Sequence, residues 1–470
     1  MSLAAMQAEA SGGSADTFSR QLEELATRFH VPGLAVEVVC GVDPEHESVL
    51  FQKYLGSGDP EAGQAVTAAT LFPLASLTKV YSAALLARLA EQGKLSLTDP
   101  VIRWLPDSGV AESVQLRHLL SHTSQGNPGE HFYYSGRFGA LTSVAQKAGG
   151  KPFAELLAAL VLQPLALSDT YLYRPEALPG EAIARLAVPH GFDGSAAPMD
   201  QEYGVSASAG LVATPRAVIR MGQALMRGAL LSEQSYRQLT RPFAPGLPYG
   251  MGMFVQEVGG HEVLWAYGQY DGFAGLWIMI PARELQMVAL ANNNLLSDAA
   301  RLINGDVTTS PLTLAFLENF LSRAGESDPS ATQRARSDLM TSAFLARFDR
   351  DEFDRALGAL AKLLPTAARW EEQGDLNVLH AVMFLKTVAF HQERPPLDRF
   401  DAELEALGKR LLADQPDNPY ARYYLAELYA GRGDPASAAV QFRAIVDAEN
   451  FSPHWYTREA ESWLAANPDP

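Results

Sequence analysis

Residues 71–86 read LFPLASLTKVYSAALL, with Ser76 three positions before Lys79 at the point where an apolar segment gives way to a helical pattern. Side chains three apart lie on one face of a helix, so the amine of Lys79 can reach the hydroxyl of Ser76. The positive end of the helix dipole also favours an alkoxide or an oxyanion at this position. The spacing therefore predicts a nucleophilic serine with a lysine as its proton partner.

The same pair has an ordinary explanation. A Ser-x-x-Lys sequence is expected about once by chance in a chain of this size. Ser76 is equally compatible with a residue at a helix start that lies beside a solvated Lys79. The spacing alone leaves both interpretations open, and other landmarks in the sequence are needed to choose between them.

Length and charge limit the classes of protein to consider. A chain of 470 residues is too long for one ordinary core, which predicts two or three structural units. The net charge of −17 argues against a nucleic-acid partner, because phosphate binding requires clustered Lys and Arg. No stretch approaches the roughly 20 apolar residues of a membrane helix, so no membrane span is expected.

The first residues give a weak indication of location. Residues 1–17 lack the basic and apolar run of an intact secretion signal, but AEA at 8–10 has the small-x-small form that signal peptidase accepts. We therefore expect residues 1–17 to be a disordered tail or a remnant of cloning. We expect a periplasmic or secreted location, with the cytoplasm as the alternative.

Strand patterns occur at both ends of the first 330 residues. Two β-rich runs lie within residues 33–56, and four more lie within residues 251–293, whereas residues 76–230 are mostly helical in pattern. This arrangement predicts an α/β (α+β) domain at 18–330, in which one antiparallel sheet flanked by helices receives strands from both ends and a mostly helical region is inserted.

The composition changes near residue 330. Residues 331–470 carry helix formers and charge without a further strand signal, which predicts an all-helical C-terminal domain. Residues 418–468 contain two helical patterns joined by a Gly-Asp turn and resemble a tetratricopeptide-type hairpin. We expect this domain to be able to bind a protein partner.

Several further stretches occur in the order and spacing of a known family. They are GKLSLTDPV at 93–101, VQLRHLLSHTS at 114–124, FYYSGRFG at 132–139, GVSASAGLVATP at 204–215 and HEVLWAYGQYDGF at 261–273. With LFPLASLTKV, they resemble the serine β-lactamase and penicillin-binding-protein superfamily, in its class C-like esterase and D-aminopeptidase branch. The resemblance covers about residues 20–325 and implies a serine hydrolase that acts on an ester, amide or peptide without a metal or organic cofactor.

The resemblance assigns catalytic roles to three side chains. Ser76 would be the acylated nucleophile, Lys79 its proton partner, and Tyr134 of the FYYS stretch a second base. Tyr133 is the competitor for the last role, and its alternative role is core packing.

The resemblance also implies which groups contact the substrate. The backbone N–H groups of Ser76 and Gln269 would form the oxyanion hole. Ser135 and Tyr267 would join Gln269 in substrate binding. Tyr267, Trp265 and Trp277 either line an apolar acyl pocket or pack the sheet, and the sequence leaves both possibilities open.

Two positions depart from the family's pattern. The second motif ordinarily reads Tyr-Ser-Asn but has Gly136 here, and the third begins with Lys or His but has Ala266 here. The groups that would face a substrate carboxylate are therefore absent, which predicts an esterase or peptidase rather than an efficient β-lactamase. The alternative is a degenerate, weakly catalytic penicillin-binding or sensor protein whose helical domain recruits a partner.

One pair of histidines has the spacing of a zinc site. His118 and His122 are four apart, which would place them on one helical face. No third ligand is evident, and hydrogen bonding within the fold is the favoured role for both. No metal is predicted.

Overall fold

The computed structural model describes residues 12–173, 178–196, 204–321, 329–364 and 372–468. The chain forms two compact units. The first contains Met1–Ser124, Tyr134–Asp298 and Leu312–Pro329, and the second contains Gln125–Tyr133, Ala299–Pro311 and Ser330–Pro470. Two segments that precede residue 330 in the sequence, 125–133 and 299–311, thus belong to the second unit.

The first unit is built on an antiparallel sheet. Its strands are β1 Gly33–Cys40, β2 Ser48–Asp59, β3 Gln64–Ala65, β7 Phe254–Val258, β8 His261–Tyr270, β9 Phe273–Ile280 and β10 Leu285–Ala291. Within the described residues their order is β3-β2-β1-β10-β9-β8-β7. Leu34 lies opposite Ala291 where β1 pairs with β10, so the two ends of the domain sequence meet at the centre of the sheet. The predicted fold class is confirmed.

Helices surround this sheet. They are α1 Gly12–Arg28, α2 Thr78–Glu91, α3 Val101–Trp104, α4 Leu116–Leu120, α5 Leu141–Gly149, α6 Phe153–Leu157, α7 Gly180–Ile183, α8 Pro215–Met226, α9 Glu233–Thr240, α10 Leu295–Asp298 and α11 Pro311–Phe320. Helix α1 begins inside the segment expected to be a tail, of which residues 1–11 lie outside the described residues. In the described part of the chain, no helix has the length and apolarity needed to cross a membrane.

The described residues also form a second, small sheet, whose first strand precedes helix α2. It consists of β4 Phe72–Pro73, β6 Leu211–Ala213 and β5 Thr170–Leu172, in that order. Helix α2 follows β4 and is buried around most of its circumference, with Lys79, Val80 and Leu86 all inside. A helix that is covered on all sides belongs to the interior of a large domain, which explains why α2 shows no clear polar face in the sequence.

The second unit is helical. Its helices are α12 Ala331–Leu345, α13 Arg350–Leu363, α14 Glu372–His391, α15 Asp401–Asp414, α16 Pro419–Gly431, α17 Pro435–Val446 and α18 Trp455–Ala466. The starts of α16 and α17 follow from sequence, because Asn418 and Asp434 cap the two helices and a proline follows each cap. The predicted helical C-terminal region is confirmed, whereas its likeness to a tetratricopeptide domain stays a prediction.

Candidate active site

The turn that carries Ser76 is held at both ends by β6. Leu74 donates its N–H to the Leu211 carbonyl (2.8 Å), and Leu211 donates its own N–H to Thr78 Oγ1 (3.2 Å). Ser76 lies in a short 3₁₀ turn, Ala75–Leu77, that runs directly into α2. Ala75 has a φ of 46°, which is unfavourable for a residue with a Cβ. Such strain persists only where neighbouring contacts impose it, and here it presents Ser76 at the entrance to the helix.

Lys79 and Ser76 are brought together as predicted. Lys79 Nζ donates a hydrogen bond of 2.7 Å to Ser76 Oγ and another of 3.3 Å to the Ser208 carbonyl. The lysine is only 5% exposed. Its Nζ lies 5.1 Å from the ring centre of Tyr134 and 5.6 Å from that of Phe138. The amine therefore hydrogen-bonds to the serine hydroxyl and to one carbonyl, and it lies over two aromatic faces.

Tyr134 rather than Tyr133 faces this lysine. The half-buried Tyr134 ring stacks on the His122 ring, with centroids 4.1 Å apart, and lies 5.9 Å from the Tyr267 ring. Tyr133 is 4% exposed and packs against Phe451, 5.3 Å away, within the second unit. The two adjacent tyrosines thus have different surroundings, and those of Tyr134 suit the proposed base.

His122 supports the stretch around Tyr134. Its Nδ1 accepts the Ser135 N–H at 3.0 Å, and its ring stacks on Tyr134. Burial first, and then the nearby charge of Lys79, hold the pKa of His122 well below its usual value. A neutral imidazole results, and it orders the Tyr134-Ser135 backbone without adding a charge beside the lysine.

The zinc spacing of His118 and His122 is not realised on one helix. Helix α4 ends at Leu120, and His122 follows it with a φ of 55°. His118 Nδ1 accepts the Gln115 N–H at 3.1 Å, and burial lowers the pKa of His118 to about 4. Both rings therefore hydrogen-bond to backbone N–H groups at different points of the fold.

Ser135 and Gly136 begin the next turn. Ser135 Oγ accepts the Arg137 N–H at 3.1 Å and caps the 3₁₀ turn Gly136–Ala140. This contact gives Ser135 a structural role beside the predicted substrate contact. Gly136 is exposed, and a Cβ built on it has no heavy atom within 4 Å outside its chain neighbours. The Cβ of an asparagine at this position would therefore have room.

Strand β8 approaches the nucleophile turn through a glycine. A Cβ on Gly268 would overlap the carbonyl oxygen of Leu74, and a Cβ on Gly275 would lie 2.8 Å from Leu77 Cδ1. These two glycines are directly opposite each other in the β8–β9 pair. Together they make a flat patch on which residues 74–77 pack, so that Gln269 follows at the edge of the candidate site.

We expect Gly268→Ala to disturb this packing. The added methyl group must displace either β8 or the Leu74 carbonyl, at a cost of about 1–3 kcal/mol of unfolding free energy. Ester hydrolysis should fall with it, because residues 74–77 set the position of Ser76. Thermal unfolding and kcat measure the two effects. Gly180→Ala is the matched control, since a Cβ there meets nothing within 4 Å. Equal results for the two variants would contradict the expectation.

The remaining predicted residues divide into two groups. Gln269 is half-buried, and its Oε1 accepts a hydrogen bond from Ser297 Oγ at 3.2 Å. Tyr267 is buried beside Tyr134.

Trp265 and Trp277 are completely buried, and Trp277 Nε1 donates to Gln286 Oε1 at 3.2 Å. The tryptophans therefore pack the sheet, and Tyr267 is the aromatic residue of the three that lies near the candidate base.

Sequence reasoning assigned no role to the Ser208 carbonyl. This carbonyl accepts a hydrogen bond from Lys79 Nζ. It lies in the segment GVSASAG, where Ser208 donates its own N–H to Ser206 Oγ at 3.3 Å. Side-chain patterns carry no signal for a backbone acceptor. The one available indication was that this segment is among the stretches that resemble the family.

Part of this chain resembles known proteins. The family described as Beta-lactamase matches residues 18–305. Esterase EstB from Burkholderia gladioli is 30% identical over 208 residues, which are 34% of this chain and 51% of that protein. A β-lactamase from Escherichia coli (strain K12) is 24% identical over 191 residues, 34% of this chain and 49% of that protein. The chain thus spans about half the length of these curated relatives.

Solved structures show the same fold. The octameric penicillin-binding protein homologue from Pyrococcus abyssi has a TM-score of 0.57 at 20% identity, over 69% of this chain and 81% of that one. A class C β-lactamase from Rhodobacter sphaeroides has a TM-score of 0.53 at 19% identity, over 65% of this chain and 100% of that one. Because the family match covers more than half of its length, this chain belongs to the Beta-lactamase family.

Proposed function

We propose that this protein is a serine hydrolase that forms a covalent acyl intermediate on Ser76 from an ester or amide. The observation that carries the proposal is the 2.7 Å contact between Lys79 Nζ and Ser76 Oγ, in a setting where the lysine is almost completely buried. The ring of Tyr134 lies over the same amine. A nucleophile with a base in hydrogen-bond reach and a third group beside that base is the arrangement that covalent catalysis requires.

Acylation would begin at Ser76. The neutral amine of Lys79 takes the hydroxyl proton on Nζ as Oγ bonds to the carbonyl carbon, and the negative charge moves to the carbonyl oxygen. The N–H groups of Ser76 and Gln269 are the proposed donors to that oxyanion. As the carbonyl reforms, the bond to the leaving group breaks, and the alcohol or amine takes a proton relayed from Lys79 through Tyr134.

Deacylation would use the same groups in reverse. As the oxygen of a water molecule bonds to the acyl carbon, Tyr134 takes a proton from that water and passes its own phenolic proton to Lys79, and the second tetrahedral species uses the same oxyanion donors. Collapse of this species releases the acid and returns the proton to Ser76 Oγ. These steps require no metal or organic cofactor.

The substrate class follows from two side chains that the site lacks. Gly136 offers no amide, and Ala266 offers no cation or imidazole, so neither supports a substrate carboxylate. The net charge of −17 adds a weak repulsion of the same sign. A nucleophile, an oxyanion hole and the rings of Tyr134 and Tyr267 remain, and these suffice for a neutral ester with a good leaving group.

We therefore expect kcat/KM for short-chain aryl esters to exceed that for penicillins and cephalosporins by at least about 10²-fold, or about 2.7 kcal/mol of transition-state stabilisation. Ala266→His and Gly136→Asn should each narrow the difference by raising the β-lactam rate. Steady-state kinetics on both substrate classes tests this. Gly180→Asn is the control for an asparagine placed at another uncrowded glycine. Equal wild-type efficiency on a cephalosporin and an ester would refute the substrate assignment.

The departures at Gly136 and Ala266 also favour a second candidate, a weakly catalytic penicillin-binding or sensor protein whose helical unit recruits a protein partner. Labelling of the purified protein with a fluorophosphonate, followed by turnover of an aryl ester, separates the two. Labelling without turnover would support the sensor.

We also propose a periplasmic or secreted location, which AEA at 8–10 supports. Fractionation of the cells in which the protein occurs naturally, with detection of the native protein by an antibody, tests this proposal. Recovery in the cytoplasmic fraction alone would contradict it.

A further inference from the structure

The segment immediately before Tyr134 belongs to the helical unit. Gln125–Tyr133 is grouped with Ser330–Pro470, whereas the residues on either side of it, Ser124 and Tyr134, belong to the first unit. The backbone of the candidate base is therefore joined directly to a segment whose packing partners lie more than 300 residues further along the chain.

Three consecutive residues of the helical unit contact this segment. Asn450 Nδ2 donates to the Gly126 carbonyl at 2.8 Å, and the Ser452 N–H donates to Gln125 Oε1 at 3.0 Å. Phe451, between them, packs its ring 5.3 Å from the ring of Tyr133 at an interplanar angle of 60°. The hydrogen bonds hold the start of the segment, and the ring contact holds its last residue.

The loop that makes these contacts is itself well anchored. It connects the end of α17 at Val446 to the start of α18 at Trp455. The Trp455 ring packs edge-on against Tyr423 of α16, with centroids 4.9 Å apart. Asn450 has a φ of 57°, a left-handed conformation that asparagine adopts more readily than most residues. The loop therefore presents its three contacts from a helical framework.

We infer that residues 450–452 are positioning residues for Tyr134. Consecutive Cα atoms are about 3.8 Å apart, so a displacement of Tyr133 is passed on to Tyr134. Proton transfer tolerates little such displacement, since a misplacement of about 1 Å can cost about 10²-fold in rate. The helical unit would then contribute to the rate of the reaction through the backbone. This inference rests on the proposed function, in which Tyr134 is the second base.

The test is a double-mutant cycle on the full chain. Phe451→Ala should lower kcat for an aryl ester by about tenfold, and Phe451→Tyr, which keeps the ring, should restore most of it. Introduced into a Tyr134→Phe protein, Phe451→Ala should lower kcat by less than about twofold, because the group it positions is already absent. A purely structural role for Phe451 would produce the same loss in both backgrounds.

Two further variants complete the design. Asn450→Gly keeps the left-handed backbone and removes the donor to Gly126. This variant should also lower kcat, and it replaces Phe451→Ala in the test if Phe451→Ala fails to fold. Phe390→Ala makes the same change at a ring that is 81% exposed in the helical unit, and should leave kcat unchanged.

The possible failures can be told apart. The inference is wrong and the proposed function stands if Phe451→Ala leaves kcat unchanged, as Phe390→Ala is expected to do. The same conclusion follows if Tyr134→Phe lowers kcat and Phe451→Ala lowers it by the same factor in the Tyr134→Phe protein as in the wild type. If Tyr134→Phe alone leaves kcat unchanged, the assignment of the base fails and the inference fails with it.

Discussion

Replacing Ser76 with alanine should lower kcat/KM for a short-chain aryl ester by at least about 10⁴-fold, because no other atom supplies the bond to the acyl carbon. The fold should survive the change. Ser76 is half-buried, and the turn around it is held by hydrogen bonds of the Leu74 N–H and the Thr78 hydroxyl with the backbone of Leu211 rather than by the serine hydroxyl. Steady-state kinetics and thermal unfolding of the same preparation measure both quantities.

The covalent intermediate gives an independent measurement of the same assignment. Intact-protein mass spectrometry after reaction with a fluorophosphonate should show one adduct, and peptide mapping should place it on Ser76. Ser82 is the matched control, since it lies in helix α2, directly after the turn that carries Ser76, and donates its hydroxyl to the Thr78 carbonyl at 3.1 Å. Ser82→Ala should keep the adduct. An adduct on any other serine would overturn the assignment of the nucleophile.

The sheet and the Ser76–Lys79 pair could be predicted because both follow from short-range regularities. The runs that became β1, β9 and β10 are almost continuously apolar, as expected of strands buried on both faces. A serine and a lysine three apart meet on any helix. Neither inference depends on how distant parts of the chain pack.

Three features of the site lie beyond such reasoning. The left-handed backbone of Ala75 is imposed by its surroundings and contradicts the preference of alanine. Strands β4 and β6 are two and three residues long, too short to show a period. The carbonyl of Ser208 is a backbone group, and any residue type would provide it. Each depends on long-range packing that the local sequence does not encode.

The grouping of 125–133 with the helical unit has the same origin. The sequence there, QGNPGEHFY, is rich in turn formers and carries no sign of its partners at 450–452. The family resemblance pointed the other way, because residues 132–133 belong to one of its landmarks and residues 125–131 lie between that landmark and the one before it. Continuity along the sequence therefore predicted that the segment would belong with the hydrolase residues around it.

Lys79→Ala and Tyr134→Phe should each lower kcat by about 10²-fold or more, the usual cost of losing a general base. Lys79→Arg separates charge from proton transfer, because a guanidinium keeps the positive charge and cannot give up its proton in a protein. We expect Lys79→Arg to be as inactive as Lys79→Ala. Nearly full activity in Lys79→Arg would show that the lysine acts only through its charge.

Tyr133→Phe is the control that the sequence itself provides for Tyr134→Phe. Both variants remove one phenolic oxygen from adjacent residues and keep the ring, so their effects on folding through ring packing should be small. Only Tyr134 has its ring beside the Lys79 amine, whereas the Tyr133 ring packs on Phe451, a contact that phenylalanine preserves. We therefore expect kcat to fall in Tyr134→Phe and to change little in Tyr133→Phe, and equal losses in the two would show that the base is misassigned.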